Sequence, residues 1–169
     1  MSREVTLSPT PIDPAEVLRQ FSAAAASAGA GAIVSFTGLA RGTTRDGQPV
    51  TALVLESHRS LTLRSMEAIA ADAHARFAIA ASQVIHREGR IAPGEAIVFV
   101  ATAALHRRAA FEAADYMMDR LKSEAVFWKR EEGPGGSRWI EPTTDDAADL
   151  ARWQNAGGTD AGRTDHARD

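Results

Sequence analysis

The chain has 169 residues, a net charge of −3, 44% hydrophobic residues and 24% charged residues, a composition typical of an ordinary globular domain. This charge provides no electrostatic basis for binding nucleic acid, and no apolar run reaches the roughly 20 residues needed to cross a membrane. Cysteine is absent, which excludes disulfides, thiolate metal sites and cysteine nucleophiles and favours a cytoplasmic location.

The hydrophobic pattern predicts three helices separated by short strands. In chain order, the predicted elements are a strand at 3–7, a helix at 14–28, strands at 32–37 and 50–56, a helix at 61–77, strands at 82–86 and 97–102, a helix at 106–124, and strands at 126–130 and 137–140. The strand at 50–56 is expected to pair with the strand before it, across a polar loop. This order indicates an α+β fold with a largely antiparallel sheet.

A core-facing stripe is predicted along the helix at 106–124, where apolar residues recur at steps of three and four. Its members are Phe111, Ala114, Met118, Leu121 and Ala125. We expect residues 1–141 to form one domain, which is long enough to bury a core. Residues 142–169 are expected to be a polar tail with a short helix near 145–153, followed by disorder.

Lysine is the most informative residue type in this chain. Only Lys122 and Lys129 occur, against seventeen arginines. An ammonium group can lose its proton when buried and then act as a nucleophile or base, whereas a guanidinium group stays charged. Lys122 borders the apolar stripe, and Lys129 shares a strand face with Phe127, while Trp128 is expected to point to the other face. The spacing fits either an amine-dependent site or two solvated surface cations.

Further cations open the third helix at His106 and Arg107, where the helix dipole opposes positive charge. A bound phosphate or carboxylate would explain this placement, and arginines that turn outward to pair with Glu112 are the alternative. Arg41, at the start of the polar loop, and Arg138, in the last strand, are candidates for the same anionic ligand. The histidines show no metal-ligand spacing, and no cofactor is expected.

Short motifs are spread over residues 30–141. They are Ser35-Phe-Thr-Gly38 followed by Arg41, Val84-Ile-His-Arg87, Pro93-Gly-Glu95, His106-Arg107, Met118-Asp-Arg-Leu-Lys122 and Phe127-Trp-Lys-Arg-Glu131. Together they resemble the large, catalytic subunit of molybdopterin synthase, and the Leu-Lys-x6-Lys-[KR]-Glu run is the most specific of them. The resemblance implies an α/β-hammerhead-like fold with a small additional β-subdomain.

The resemblance also implies a sulfurtransferase of molybdenum cofactor biosynthesis, which converts cyclic pyranopterin monophosphate to molybdopterin. Sulfur would arrive as a thiocarboxylate on the C-terminal Gly-Gly of a small ubiquitin-like subunit, and two large subunits would form a homodimer within a heterotetramer. Carried over by motif, Lys122 and Lys129 become the catalytic residues. The substrate-binding residues become Arg41, His106, Arg107 and Arg138.

A partner that delivers the sulfur agrees with the composition, because a chain without cysteine cannot carry sulfur as a persulfide. Two other functions stay open from the residues themselves. One is a non-catalytic module that binds an ubiquitin-like Gly-Gly tail or a phosphorylated ligand. The other is an enzyme whose lysine forms a Schiff base with an unrelated carbonyl substrate.

Overall fold

The structure is a computed structural model that describes residues 2–140 and 144–155, with side chains described in the last helix only for 148–153. Its elements are β1 (Ser2–Ser8), α1 (Pro14–Ser27), β2 (Ala32–Leu39), β3 (Ala52–Ser57), α2 (Arg59–Arg76), β4 (Ile79–Arg87), β5 (Gly89–Ile91), β6 (Ala96–Ala104), α3 (Arg107–Glu124), β7 (Phe127–Gly133), β8 (Gly136–Ile140) and α4 (Thr144–Asn155). The disorder expected for the end of the tail lies outside the described residues.

Two four-stranded sheets form the framework of the fold. The first sheet has the order β1-β4-β6-β2, with β1 parallel to β4 and the remaining pairs antiparallel. The second sheet has the order β5-β3-β7-β8 and is antiparallel throughout. The prediction of an α+β fold with mostly antiparallel sheet is therefore confirmed.

The strand pairing expected for β3 is wrong. β2 pairs with β6, whereas β3 leaves the first sheet and pairs with β5 and β7. The intervening loop closes on itself through a Thr43–Pro49 bridge and a bond from the Val50 N–H to the Gly42 carbonyl at 2.9 Å, so it redirects the chain. Alternation in β3 specified a strand, but it carried no information about the partner strand.

Both faces of the first sheet are covered. On one face, Val84 of β4 and Val100 of β6 pack in a core with Met66 of α2 and Met117 of α3. On the other face, Phe99 of β6 packs with α1 and its neighbours. Because β6 is buried on both sides, its sequence is almost continuously apolar. No described helix is both long enough and apolar enough to span a membrane.

The stripe predicted along α3 is partly wrong, because Phe111 is 62% exposed. The buried residues of this helix are instead Ala110, Ala113, Ala114, Tyr116, Met117, Asp119 and Leu121. Small alanines allow α3 to lie close to β2 and β6, while α2 and α4 cover two further sides. The predicted stripe followed the large apolar residues and therefore missed the face that makes the close approach.

Candidate active site

Lys122 and Lys129 line a single pocket of about 180 Å³, here called the lysine pocket. Lys122 reaches it from the last turn of α3, and Lys129 reaches it from β7. The remaining lining is Phe36, Gly38, His86, Ile97, Val98, Met118 and Leu121. The structure thus brings the only two lysines of the chain together against a largely apolar wall.

A second pocket, here called the Arg41 pocket, has a volume of about 310 Å³ and adjoins the first. Lys129, His86 and Ile97 line both pockets, so Arg41 lies across a shared wall from the lysine pocket. Among the described residues that line the two pockets, Glu131 is the only carboxylate. Three cationic side chains against one carboxylate favour an anionic ligand.

The strand register explains why Lys129 faces inward. Lys129 lies opposite Leu55 of β3 and Ile140 of β8, and all three line the Arg41 pocket. Alternate side chains of a strand point to opposite faces of a sheet, and Trp128 accordingly turns outward and is 53% exposed. The prediction that Trp128 faces away from Lys129 is confirmed.

Arg138 lies beside these pockets without lining either. It is opposite Glu131 in the β7–β8 ladder and forms ion pairs with Glu131 at 3.1 Å and with Asp46 of the polar loop at 3.4 Å. These contacts connect the loop after Arg41 to the strand that carries Lys129. Within a single chain, Arg138 therefore approaches the site through Glu131, and its substrate-binding role stays a prediction.

His106 and Arg107 lie at the opposite end of α3 from Lys122, and both side chains are exposed. Fifteen residues of helix separate Arg107 from Lys122, which corresponds to about 22 Å. One chain therefore does not bring these residues to the lysine pocket. The arginine that pairs outward with Glu112 is Arg108, whose guanidinium nitrogen lies 3.5 Å from the Glu112 carboxylate.

His86 is a pocket residue to which the sequence patterns assigned no role. Its Nδ1 lies 2.8 Å from the carbonyl oxygen of Arg87, and its ring stacks on Phe127 with centroids 4.1 Å apart. Burial lowers the pKa of His86 to about 4, the hydrogen bond to Arg87 opposes this effect, and the charge of Lys129 adds to it. The available signal was a histidine directly after the apolar residues Val84 and Ile85 in a predicted strand.

Metal chemistry has no evident site in the part of the chain that the structure describes. No group of three or more His, Asp or Glu side chains there is arranged to hold an ion. The two pockets offer two amines, one guanidinium group, one imidazole and one carboxylate from the described residues. Such a set can bind anions, and its amines can transfer protons or attack a carbonyl carbon.

Comparison with known proteins identifies relatives over most of the chain. The sequence model of the MoaE protein family matches residues 7–124. A molybdopterin synthase catalytic subunit from Caulobacter vibrioides is 50% identical over 149 residues, covering 88% of this chain and 96% of that protein. The solved structure of the molybdopterin biosynthesis MoaE protein from Burkholderia ambifaria MC40-6 has a TM-score of 0.71 and 39% identity, covering 91% of this chain and 99% of that one. Molybdopterin synthase from Staphylococcus aureus superposes with a TM-score of 0.68 and 25% identity, over 82% and 96% of the two chains.

Proposed function

The chain belongs to the MoaE protein family, and on this basis we propose that it is the catalytic subunit of a molybdopterin synthase. It transfers sulfur from the thiocarboxylated C-terminus of a small ubiquitin-like subunit to cyclic pyranopterin monophosphate, which forms the dithiolene of molybdopterin. The observation that carries this proposal is the convergence of Lys122 and Lys129 on one pocket beside Arg41. We also propose a cytoplasmic location, which suits a chain without cysteine.

The charges of the two pockets match those of the reactants. Arg41, Lys122 and Lys129 outnumber Glu131 by two positive charges. A cyclic phosphate and a thiocarboxylate each bring one negative charge, so the bound reactants neutralise the site. Ion pairing inside a partly dry pocket is stronger than in water, because the local dielectric is lower.

The size and lining of the lysine pocket suit the end of a Gly-Gly tail. Glycine has no Cβ, so its backbone can approach a protein wall more closely than that of other residues. The apolar side chains Phe36 and Met118 line the route along which such a tail would lie. We propose that the thiocarboxylate enters the lysine pocket and that the pterin phosphate occupies the Arg41 pocket, with Lys129 between them.

Lys122 is the residue that we propose for the chemical step. Loss of sulfur from the thiocarboxylate and loss of oxygen from the pterin both require proton transfer, which an amine can supply and a guanidinium group cannot. Alternatively, an unprotonated Lys122 attacks the thiocarboxylate carbonyl as a nucleophile, which forms an amide with the tail and releases the sulfur as hydrosulfide for addition to the pterin. Both roles require an amine at this position. A module that only binds the tail does not require one, so the effect of replacing the amine distinguishes the two functions.

His106 and Arg107 enter the proposal through a second copy of the chain. β2 is an edge strand of the first sheet, and Phe36 on that strand is 43% exposed. Phe111, in the first half of α3, is 62% exposed. We propose a two-fold dimer that covers these residues, with its axis roughly perpendicular to α3. The two α3 helices then run in opposite directions, which brings the partner's Arg107 towards Lys122.

Mixed dimers test this arrangement and the function together. With pterin precursor well below its Kd and thiocarboxylated small subunit in excess, Arg107→Ala chains and Lys122→Ala chains are each expected to lose most of the rate of molybdopterin formation. Co-refolding the two in equal amounts should restore about one quarter of the wild-type rate, because half of the dimers would be mixed and each would hold one intact site. Absence of any recovery, or sedimentation that shows only an 18.0 kDa monomer at micromolar concentration, would contradict the shared site.

A further inference from the structure

His86 lies in the wall between the lysine pocket and the Arg41 pocket. Of the three residues that line both pockets, His86 and Lys129 are the two with polar side chains. His86 is only 7% exposed, so its ring is held almost entirely by protein atoms. A buried imidazole needs partners for its ring nitrogens, and the position of those partners defines what it can do.

The hydrogen-bond partner of Nδ1 settles the tautomer. A carbonyl oxygen only accepts, so the 2.8 Å contact with the Arg87 carbonyl requires Nδ1 to carry the proton. Burial keeps the pKa of this ring low, at about 4, and the ring is neutral near pH 7. A neutral imidazole has one N–H, and Nε2 of His86 is therefore a hydrogen-bond acceptor.

The stacking on Phe127 places the His86 ring over the face of β7 that also carries Lys129. His86 stacks on Phe127 with an interplanar angle of 22°, which fixes the plane of the imidazole. Phe127 and Lys129 are two residues apart in β7, so their side chains leave the same face of the strand about 6.6 Å apart. A lysine side chain can span that distance, and His86 and Lys129 both line the lysine pocket.

We propose that His86 is a positioning residue for Lys129, accepting a hydrogen bond at Nε2 from the Lys129 ammonium group. This inference rests on the proposed function, because it gives Lys129 a defined place between two ligands. A neutral acceptor orients the ammonium group without cancelling its charge. A carboxylate in the same place would cancel that charge and weaken the attraction for phosphate and thiocarboxylate.

Two substitutions separate this role from a purely structural one. The amide oxygen of glutamine reaches about as far as Nε2, whereas the amide of asparagine reaches only about as far as Nδ1. His86→Gln should therefore keep kcat within about threefold, because it restores the acceptor near Lys129. His86→Asn keeps the contact with Arg87 and should lose kcat by about tenfold or more, as expected when a charged group loses its hydrogen bond, with little change in KM for the small subunit.

The reverse ranking would overturn the proposal, since activity in His86→Asn and loss in His86→Gln would show that only the Arg87 contact matters. Equal activity in both variants would overturn it as well. Thermal unfolding of each variant, measured alongside, identifies any loss that comes from misfolding.

A measurement on folded protein with its native His86 makes the inference independent of catalysis. With ¹⁵N-labelled histidine, the spectrum should show an unprotonated Nε2 at His86 whose resonance moves in Lys129→Met and stays in place in Lys122→Met. A resonance that does not respond to Lys129→Met would overturn the proposal even if sulfur transfer is intact. If sulfur transfer fails but this response is present, then the proposed function is wrong and the positioning is right.

Discussion

The indole N–H of Trp153 donates a hydrogen bond of 2.6 Å to Oδ2 of Asp119, and this contact ties α4 to α3 one turn before Lys122. Arg152 donates to the same oxygen at 2.6 Å and 3.0 Å. The Trp153 ring also meets Tyr116 edge to face at 5.3 Å. These contacts therefore hold α4 against α3, the helix that carries Lys122.

Trp153→Phe should lower the free energy of unfolding by about 1–2 kcal/mol, because it keeps a ring but removes the donor to a buried carboxylate. Trp153→Ala should lower it by roughly 3 kcal/mol, because the aromatic contacts are lost as well. Urea denaturation measures both values. Trp128→Phe is the matched control and should stay within about 0.5 kcal/mol, because Trp128 is half exposed. Wild-type stability in Trp153→Ala would mean that α4 does not support α3.

Lys122→Arg should reduce molybdopterin formation by about 100-fold or more, although it keeps the positive charge. The expected cause is the loss of an amine that can donate a proton or act as a nucleophile. Product formation is measured with saturating thiocarboxylated small subunit, whose binding should be nearly unchanged. A loss of less than about tenfold, or ~1.4 kcal/mol of barrier, would show that Lys122 acts only as a charge.

Lys129→Arg should cause a smaller but clear loss in the same assay. Lys129 lines both pockets, so we expect it to bind and orient anions, and a guanidinium group retains part of that ability. Lys129→Met removes the charge and should be worse than Lys129→Arg. If the methionine and arginine variants were equally active, the charge of Lys129 would have no part in the reaction.

Arg107→Ala should weaken binding of the pterin phosphate by roughly 1.5–3 kcal/mol, the range for losing a hydrogen bond to a charged group, with little change in melting temperature. Isothermal titration with the pterin substrate provides the affinity. Arg108→Ala is the matched control, because Arg108 is the next residue and pairs with Glu112 on the surface. A much lower melting temperature with normal affinity would make Arg107 a structural residue.

Acid should destabilise the protein in part through His86. The pKa of His86 is about 4 in the folded protein, against an ordinary value of 6.5. As the pH falls, His86 is therefore protonated in the unfolded chain at a higher pH than in the folded protein. The stability linked to His86 is therefore complete above pH 6.5, and it is lost progressively as the pH falls from 6.5 through 4. Between pH 7 and pH 5 the loss is about 2 kcal/mol.

The matched comparison for this pH effect is His86→Gln, which has no titrating ring at this position. The difference in free energy of unfolding between wild type and His86→Gln should change across pH 7 to 5, with the wild type losing more. Parallel curves for the two proteins over this range would show that His86 titrates normally.

Helix caps, strand alternation and helix length depend on neighbouring residues, so these features could be predicted from the sequence. Asp13 precedes the proline that opens α1, which is a typical N-cap sequence, and its carboxylate accepts from the N–H groups of Ala15 and Glu16 at 3.1 Å. Alternation in β7 correctly separated Lys129 from Trp128, because strand side chains alternate whatever they pack against. The distance between Arg107 and Lys122 was also implied by the predicted helix, since helical rise is constant.

Contacts between distant segments had no such local signal. β3 pairs with β7 because the preceding loop closes on itself and redirects the chain. α3 buries its alanines because it packs closely against the sheet. The position of His86 depends on the packing of β4 against Phe127 of β7. The sequence by itself determined the family, the two lysines and every described element except the short β5, because these depend on neighbouring residues and on motifs. Only the tertiary structure decided that the lysines share a pocket with His86 and Arg41, because that depends on how separate elements pack.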